Sequence, residues 1–170
     1  KPGTFITKKS NIKNNKIVTG ISLSHNDAKI TLIGVKDRPG VAASIFKPLS
    51  KNSINVDMVV QNISANGKET DLTFTIKSEE LNKTKKIINE NKKIVFRKLM
   101  FEKGVSKETK IGDGMITTPG ITYRMFQALA NKKINIKVIS TSEIKISVLI
   151  DKKNTKKALA VLHKEFNLEN

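Results

Sequence analysis

The sequence predicts an α+β chain made of two β-α-β-β-α-β units in tandem, the ferredoxin-like arrangement. Three observations predict it. A shift of 80 positions takes Gly34 to Gly114, Pro39 to Pro119, Gly40 to Gly120, Phe46 to Phe126, Leu49 to Leu129, Ile54 to Ile134, Asn55 to Asn135 and Val59 to Ile139, so one unit occurs twice. Within each copy, β-branched runs and stripes at i, i+3, i+4, i+7 alternate in the order that arrangement needs. The second copy ends one strand short, and a spare strand-like stretch precedes the first copy.

Residues 1–15 are polar and read as a linker or tail. Lys16 to Leu23 reads as a strand and His25-Asn26-Asp27 as a turn. Residues 16–27 are therefore expected to complete the second unit's sheet, because an unpaired sheet edge is a liability. The first unit, 28–103, opens with a strand over Lys29–Val35. Asp37 can cap the next helix, with Pro39 in its first turn. Ala42, Ile45, Phe46 and Leu49 form the buried stripe of that helix, and Pro48 is expected to shorten or kink it. Strands follow over Ile54–Ile63 and Thr70–Ile76, with Asn66-Gly67 as the hairpin signal. Ser78 caps a second helix that turns Ile87 and Ile88 inward, and Ile94–Phe101 is the fourth strand.

The second unit, 104–170, repeats the pattern. Its first strand is expected over Ser106–Gly114. Thr118-Pro119-Gly120 opens a helix with Thr122, Met125, Phe126 and Leu129 on one face. Strands follow over Ile134–Ser140 and Glu143–Ile150. Asp151 or Asn154 starts a last helix with Ala158, Leu159, Leu162 and Phe166 inward.

Composition narrows the function. The 170 residues carry a formal net charge of +17 and no Cys, which leaves neither a disulfide framework nor a thiolate metal site. No apolar run reaches membrane-spanning length, and a cytoplasmic location is expected. The charge excess is Lys spread over expected solvent faces beside abundant Asn and Ile, the usage of an AT-rich genome. A polyanion partner is the functional alternative, through a basic ferredoxin-like module that binds nucleic acid. That alternative requires aromatics exposed on central strands, whereas Phe74 and Phe96 alternate with the core set. His25 and His163 stand alone, and no nucleophile–base pair or metal set has recognisable spacing, so no catalytic residue and no metal ligand is assigned.

The repeated Pro-Gly points to a binding role. A helix N-terminus has unpartnered N–H groups and the positive end of the macrodipole, and it attracts anions. A free amino acid suits such a place if a carboxylate nearby takes its ammonium. Asp37, Asp57, Gln61 and Glu143 are the polar side chains at hand. Plain capping by Asp37, close helix–sheet packing at Gly40 and Gly120, and turn roles for Asn55 and Asn135 are the structural alternatives.

Several stretches then resemble one family. Ile30-Thr31-Leu32-Ile33-Gly34-Val35, Asp37-Arg38-Pro39-Gly40-Val41-Ala42-Ala43, Ile54 to Asn62, Thr70 to Thr75, Ile139-Ser140-Thr141-Ser142-Glu143-Ile144-Lys145-Ile146-Ser147-Val148 and Ala160 to Phe166 are similar to the regulatory region of bacterial aspartokinase. The resemblance implies tandem ACT domains that bind lysine, threonine or both and inhibit the kinase. It implies a homodimer through those domains and association with the catalytic domain or alpha subunit. ATP and magnesium belong to that absent kinase domain, and no cofactor is expected in this chain. Carried over by position, a first effector pocket comprises Asp37, Gly40, Val41, Ala42 and Gln61, with Asn135 and Ile136 from the second unit. A second pocket comprises Asp57, Ser64, Thr122, Ser142 and Glu143. One departure stands out: Glu108, Lys110 and Asp113 occupy strand positions that are usually apolar in the family. Either that strand is more exposed here or the second unit is loosened.

Overall fold

The structure is a computed structural model and describes residues 18, 20–63, 67–112 and 120–168. Two long antiparallel strands form its spine. β1 runs Gly20–Lys36 and β4 runs Lys98–Ile111, and they pair along most of their length. The C-terminal half of β1 carries β3 (Glu69–Lys77) and then β2 (Asp57–Ile63). The C-terminal half of β4 carries β6 (Lys145–Asp151) and then β5 (Ile136–Thr141). The result is one six-stranded sheet, in the order β2-β3-β1-β4-β6-β5. Helices α1 (Val41–Lys51) and α2 (Leu81–Glu90) belong to the first repeat, and α3 (Ile121–Asn131) and α4 (Thr155–Glu165) to the second.

The N-terminal strand completes the second sheet, as expected: Gly20–Ser24 pairs with Ile111–Lys107. Two expectations about strand continuity need correction. The fourth strand of the first unit and the first strand of the second are the single strand β4. Gly104, at φ 72°, lets the chain shift register and continue instead of breaking. For the same reason His25-Asn26-Asp27 is no turn; β1 passes through it with a bulge centred on Asn26, at φ 64°.

Two cores lie under the helices. The first joins Ala28, Ile30 and Leu32 of β1 to Leu72, Phe74 and Ile76 of β3, under Ile45, Leu49, Leu81 and Ile88. Phe46 meets Phe74 edge-to-face, ring centres 5.3 Å apart at 76°. The second joins Ile146, Val148 and Ile150 to Met125, Leu129, Ala158, Leu162 and Phe166, with Val18, ahead of β1, and Ile21 of β1. Alternation in β1, β3 and β6 sends every second side chain into these cores, so their registers are fixed by burial. Helix α1 continues past Pro48 to Lys51, so Pro48 does not shorten it. Short 3₁₀ turns, Ser78–Glu80 and Lys152–Asn154, precede α2 and α4, and neither Ser78 nor Asp151 nor Asn154 makes a side-chain cap bond.

The junction of the repeats is polar. On β1, Asp27 accepts from Ser24 and pairs with Lys77. Glu102 pairs with Lys29 and Lys137, and Lys137 also reaches Asp151. Beside this network β2 approaches β5, where Met58 packs on Val105, Leu149 and Val138.

Candidate effector site

The residues that open α1 form a tight turn. The Val41 amide donates to the Arg38 carbonyl at 3.1 Å, Pro39 takes the second position, and Gly40, the third, has φ 84° and ψ 0°. These are the dihedrals of a type II turn, which needs glycine there. Gly40 is therefore the N-cap of α1, and Asp37 is not: it stands exposed in the loop, its backbone amide bonded to the Lys68 carbonyl. Pro39 belongs to the turn and lies ahead of the helix. In the second repeat Gly120 takes the same conformation, φ 86° and ψ −3°, at the N-cap of α3.

This geometry leaves the α1 terminus open to an anion. Its first turn holds no acidic residue, and the amides of Ala42 and Ala43 have no carbonyl partner among the described residues. A cleft of about 270 Å³ lies at this end, lined by Lys36, Arg38, Val41, Lys93 and Val95. Three cations and the helix dipole give it one sign of potential. Sequence reasoning missed Lys36, Arg38 and Lys93, because three more basic residues carry no signal in a chain so rich in Lys.

Gln61 is exposed on β2. Asn135 and Ile136 open β5, Asn135 exposed and Ile136 half-buried. Met58 and Val138 share one cluster. Gln61 and Asn135 each stand three residues from it, roughly 10 Å of strand. Of the residues named for the first pocket, only Val41 lines the cleft at the start of α1.

The second set is less unified. Ser64 lies outside the described residues. Thr122 is exposed on α3; the buried face is Ile121, Met125, Ala128 and Leu129, so Thr122 does not share it. Ser142 and Glu143 are exposed in the β5–β6 turn, closed by the Ser142 amide bonding to the Lys145 carbonyl at 2.8 Å. Asp57 reaches the second unit by a different route, through an ion pair with Lys107 of β4. Partial burial pushes the Asp57 carboxyl up, but the Lys107 hydrogen bond, the Met58 amide and the charges of Lys107 and Lys145 outweigh it, and its pKa lies below the ordinary value. An ammonium arriving at Asp57 must therefore compete with one the chain already supplies.

Among the described residues, the aromatics on and beside the central strands face the core. Phe74 is fully buried, and Phe96 and Phe101 pack against the first core. No helix among the described residues is long and apolar enough to cross a membrane.

Comparison with known proteins agrees with this architecture. An ACT domain model matches residues 30–91 and 109–166. An aspartate kinase of Pseudomonas fluorescens is 41% identical over 170 residues, which is 99% of this chain and 41% of that protein. The chain thus spans about two fifths of the length of the curated relatives it matches. A crystal structure of aspartokinase alpha and beta subunits superimposes with a TM-score of 0.78 at 39% identity, covering 88% of this chain and 99% of that one. The ligand-free regulatory subunit of aspartate kinase from Thermus thermophilus gives 0.80 at 33% identity, covering 89% and 99%. With two ACT repeats and a whole regulatory subunit matched end to end, the chain belongs to the ACT-domain regulatory regions of the aspartokinase family.

Proposed function

We propose that this chain senses free lysine, threonine or both and passes their binding to an aspartokinase catalytic domain or alpha subunit as feedback inhibition, working as a homodimer paired through its ACT domains. The observation that carries this reading is the cationic, unsatisfied N-terminus of α1 beside Gly40, set in the same repeat as Gln61. Unpaired amides and three cations match an α-carboxylate, while Gln61 and Asn135 are neutral groups able to bond an α-ammonium or a hydroxyl. Coupling to a kinase requires that the amino acid bind one arrangement of the units better than another. The β2–β5 contact at Met58 is the place where the two repeats can register that difference.

Thermal melting with L-lysine, L-threonine and both together tests it. A ligand at one hundred times its Kd adds about 2.7 kcal/mol, which for a chain of this size is a rise of roughly 5–10 °C in Tm. Gln61→Ala is expected to abolish the rise and leave the ligand-free Tm unchanged, since Gln61 is exposed. No rise with either amino acid at millimolar concentration would sink the reading.

A further inference from the structure

The helix-facing positions of β4 in the second unit are Ser106, Glu108 and Lys110, and all three are buried, at 0%, 0% and 1% exposure. The strand is therefore not more exposed than its neighbours, and the charges lie inside. Glu108 stands opposite Leu23 and Val148, and Lys110 opposite Ile21 and Ile146. Ser106 is satisfied by the Thr155 hydroxyl at 2.6 Å. Among the described residues neither Glu108 carboxylate oxygen nor the Lys110 Nζ has a hydrogen-bond partner, and the two side chains are not paired with each other. Lys110 instead sits 4.2 Å from the centre of the Phe166 ring.

The first repeat supplies the control. The shift of 80 places Ala28 where Glu108 stands and Ile30 where Lys110 stands, and both are fully buried in the first core. One core is apolar at these positions, and the other carries two buried ionisable groups without a hydrogen-bond partner among the described residues.

We propose that Glu108 and Lys110 make the second unit a proton-linked module that opens independently of the first, loosest when both groups are charged. The proposal stands beside the amino-acid reading and does not depend on it. A buried charge without a partner favours whichever state neutralises or solvates it, and opening solvates it.

The sign follows from the surroundings. Burial raises the Glu108 carboxyl to about 7. Its closed-state stabilisation is complete below the ordinary value of 4.5 and is lost as pH rises to about 7. Burial lowers the Lys110 ammonium to about 8, with a smaller push from Arg124. Its closed-state stabilisation is complete above 10.5 and is lost as pH falls to about 8. From α3, Arg124 faces this region, stacked on Phe166 and paired with Glu165 of α4. Among the described residues β1 and β6 present Ile21, Leu23, Ile146, Val148 and Ile150. The second unit is thus weakest between about 7 and 8, where most proteins are most stable.

Native-state hydrogen exchange on the full chain, corrected for intrinsic rates, tests this. At pH 7.5 the amides of α3, α4 and β6 are expected to open on the order of 100-fold more often than those of α1, α2 and β3. At pH 5 the gap is expected to narrow about tenfold as Glu108 takes up its proton, the remainder belonging to Lys110, which stays charged. The double variant Glu108→Ala with Lys110→Ile, which copies the first repeat, is expected to close the gap at both pH values. Equal protection of the two units at pH 7.5 would overturn the proposal. So would a gap indifferent to pH and unchanged in the double variant. The pH comparison uses the unaltered chain and stands whether or not the variant folds.

Discussion

Gly40 shows how much one residue decides. An ideal Cβ added there meets nothing within 4 Å, so the obstacle to a side chain is the backbone alone, at φ 84°. Gly40→Ala is expected to cost about 1–2 kcal/mol through that strained conformation, a fall in Tm of roughly 2–8 °C on thermal denaturation. Asp37→Ala is expected to cost far less in the same measurement, because its side chain makes no cap bond. The contrast separates two ways of reading Asp37-Arg38-Pro39-Gly40. An acidic residue ahead of an amphipathic stripe reads as a cap, yet Pro-Gly at the two central positions of a turn reads as type II and places the cap on glycine. The second signal was in the sequence and outweighs the first. Glu108 and Lys110 were equally visible as polar intrusions, but their burial was not. The same alternation fits a strand whose polar face meets solvent, and only the position of α3 and α4 decides between them.

At the scale of elements, the repeat was legible because cores demand periodic apolar residues, and those survive the shift of 80. Strand continuity was not legible. Gly104 and the His25-Asn26 pair are breakers in most contexts, and only pairing between β1 and β4 on both sides of them carries the strands through. The equivalent helices provide a matched test of the two cores. Leu49 in α1 and Leu129 in α3 are both fully buried and related by the repeat. Leu→Ala at either site removes the same atoms and is expected to cost about 2–5 kcal/mol. The consequences should differ. Leu49→Ala weakens an apolar core that has reserve, and denaturant unfolding should stay a single shifted transition. Leu129→Ala strikes a core that already holds two buried ionisable groups without hydrogen-bond partners among the described residues, and a separate early transition of the second unit is expected. Identical single transitions for both variants would mean that the repeats unfold as one.

For the molecule as a whole, the order of segments along the chain differs from their order in the sheet. The second unit borrows its fourth strand from the N-terminal end, so the first unit is inserted between two parts of the second. Its core uses Val18 and Ile21, whereas among the described residues the first core uses nothing before Ala28. A chain beginning at His25 should therefore damage the distant unit and spare the adjacent one. It strips the outer edge of β4 from Lys107 to Ile111, exposing a run of unpaired backbone groups, and takes two apolar side chains from the core under α3 and α4. Hydrogen exchange is expected to show lost protection across α3, α4, β5 and β6 and retained protection across α1, α2 and β3. Concentration-dependent association through the bared edge is expected in light scattering. Were the shortened chain instead to lose protection in the first unit, or in neither, residues 20–24 would not act as the strand that completes the second sheet. Ser142, Glu143 and Asn135 are presented by a unit whose sheet is completed by a segment about 110 residues earlier.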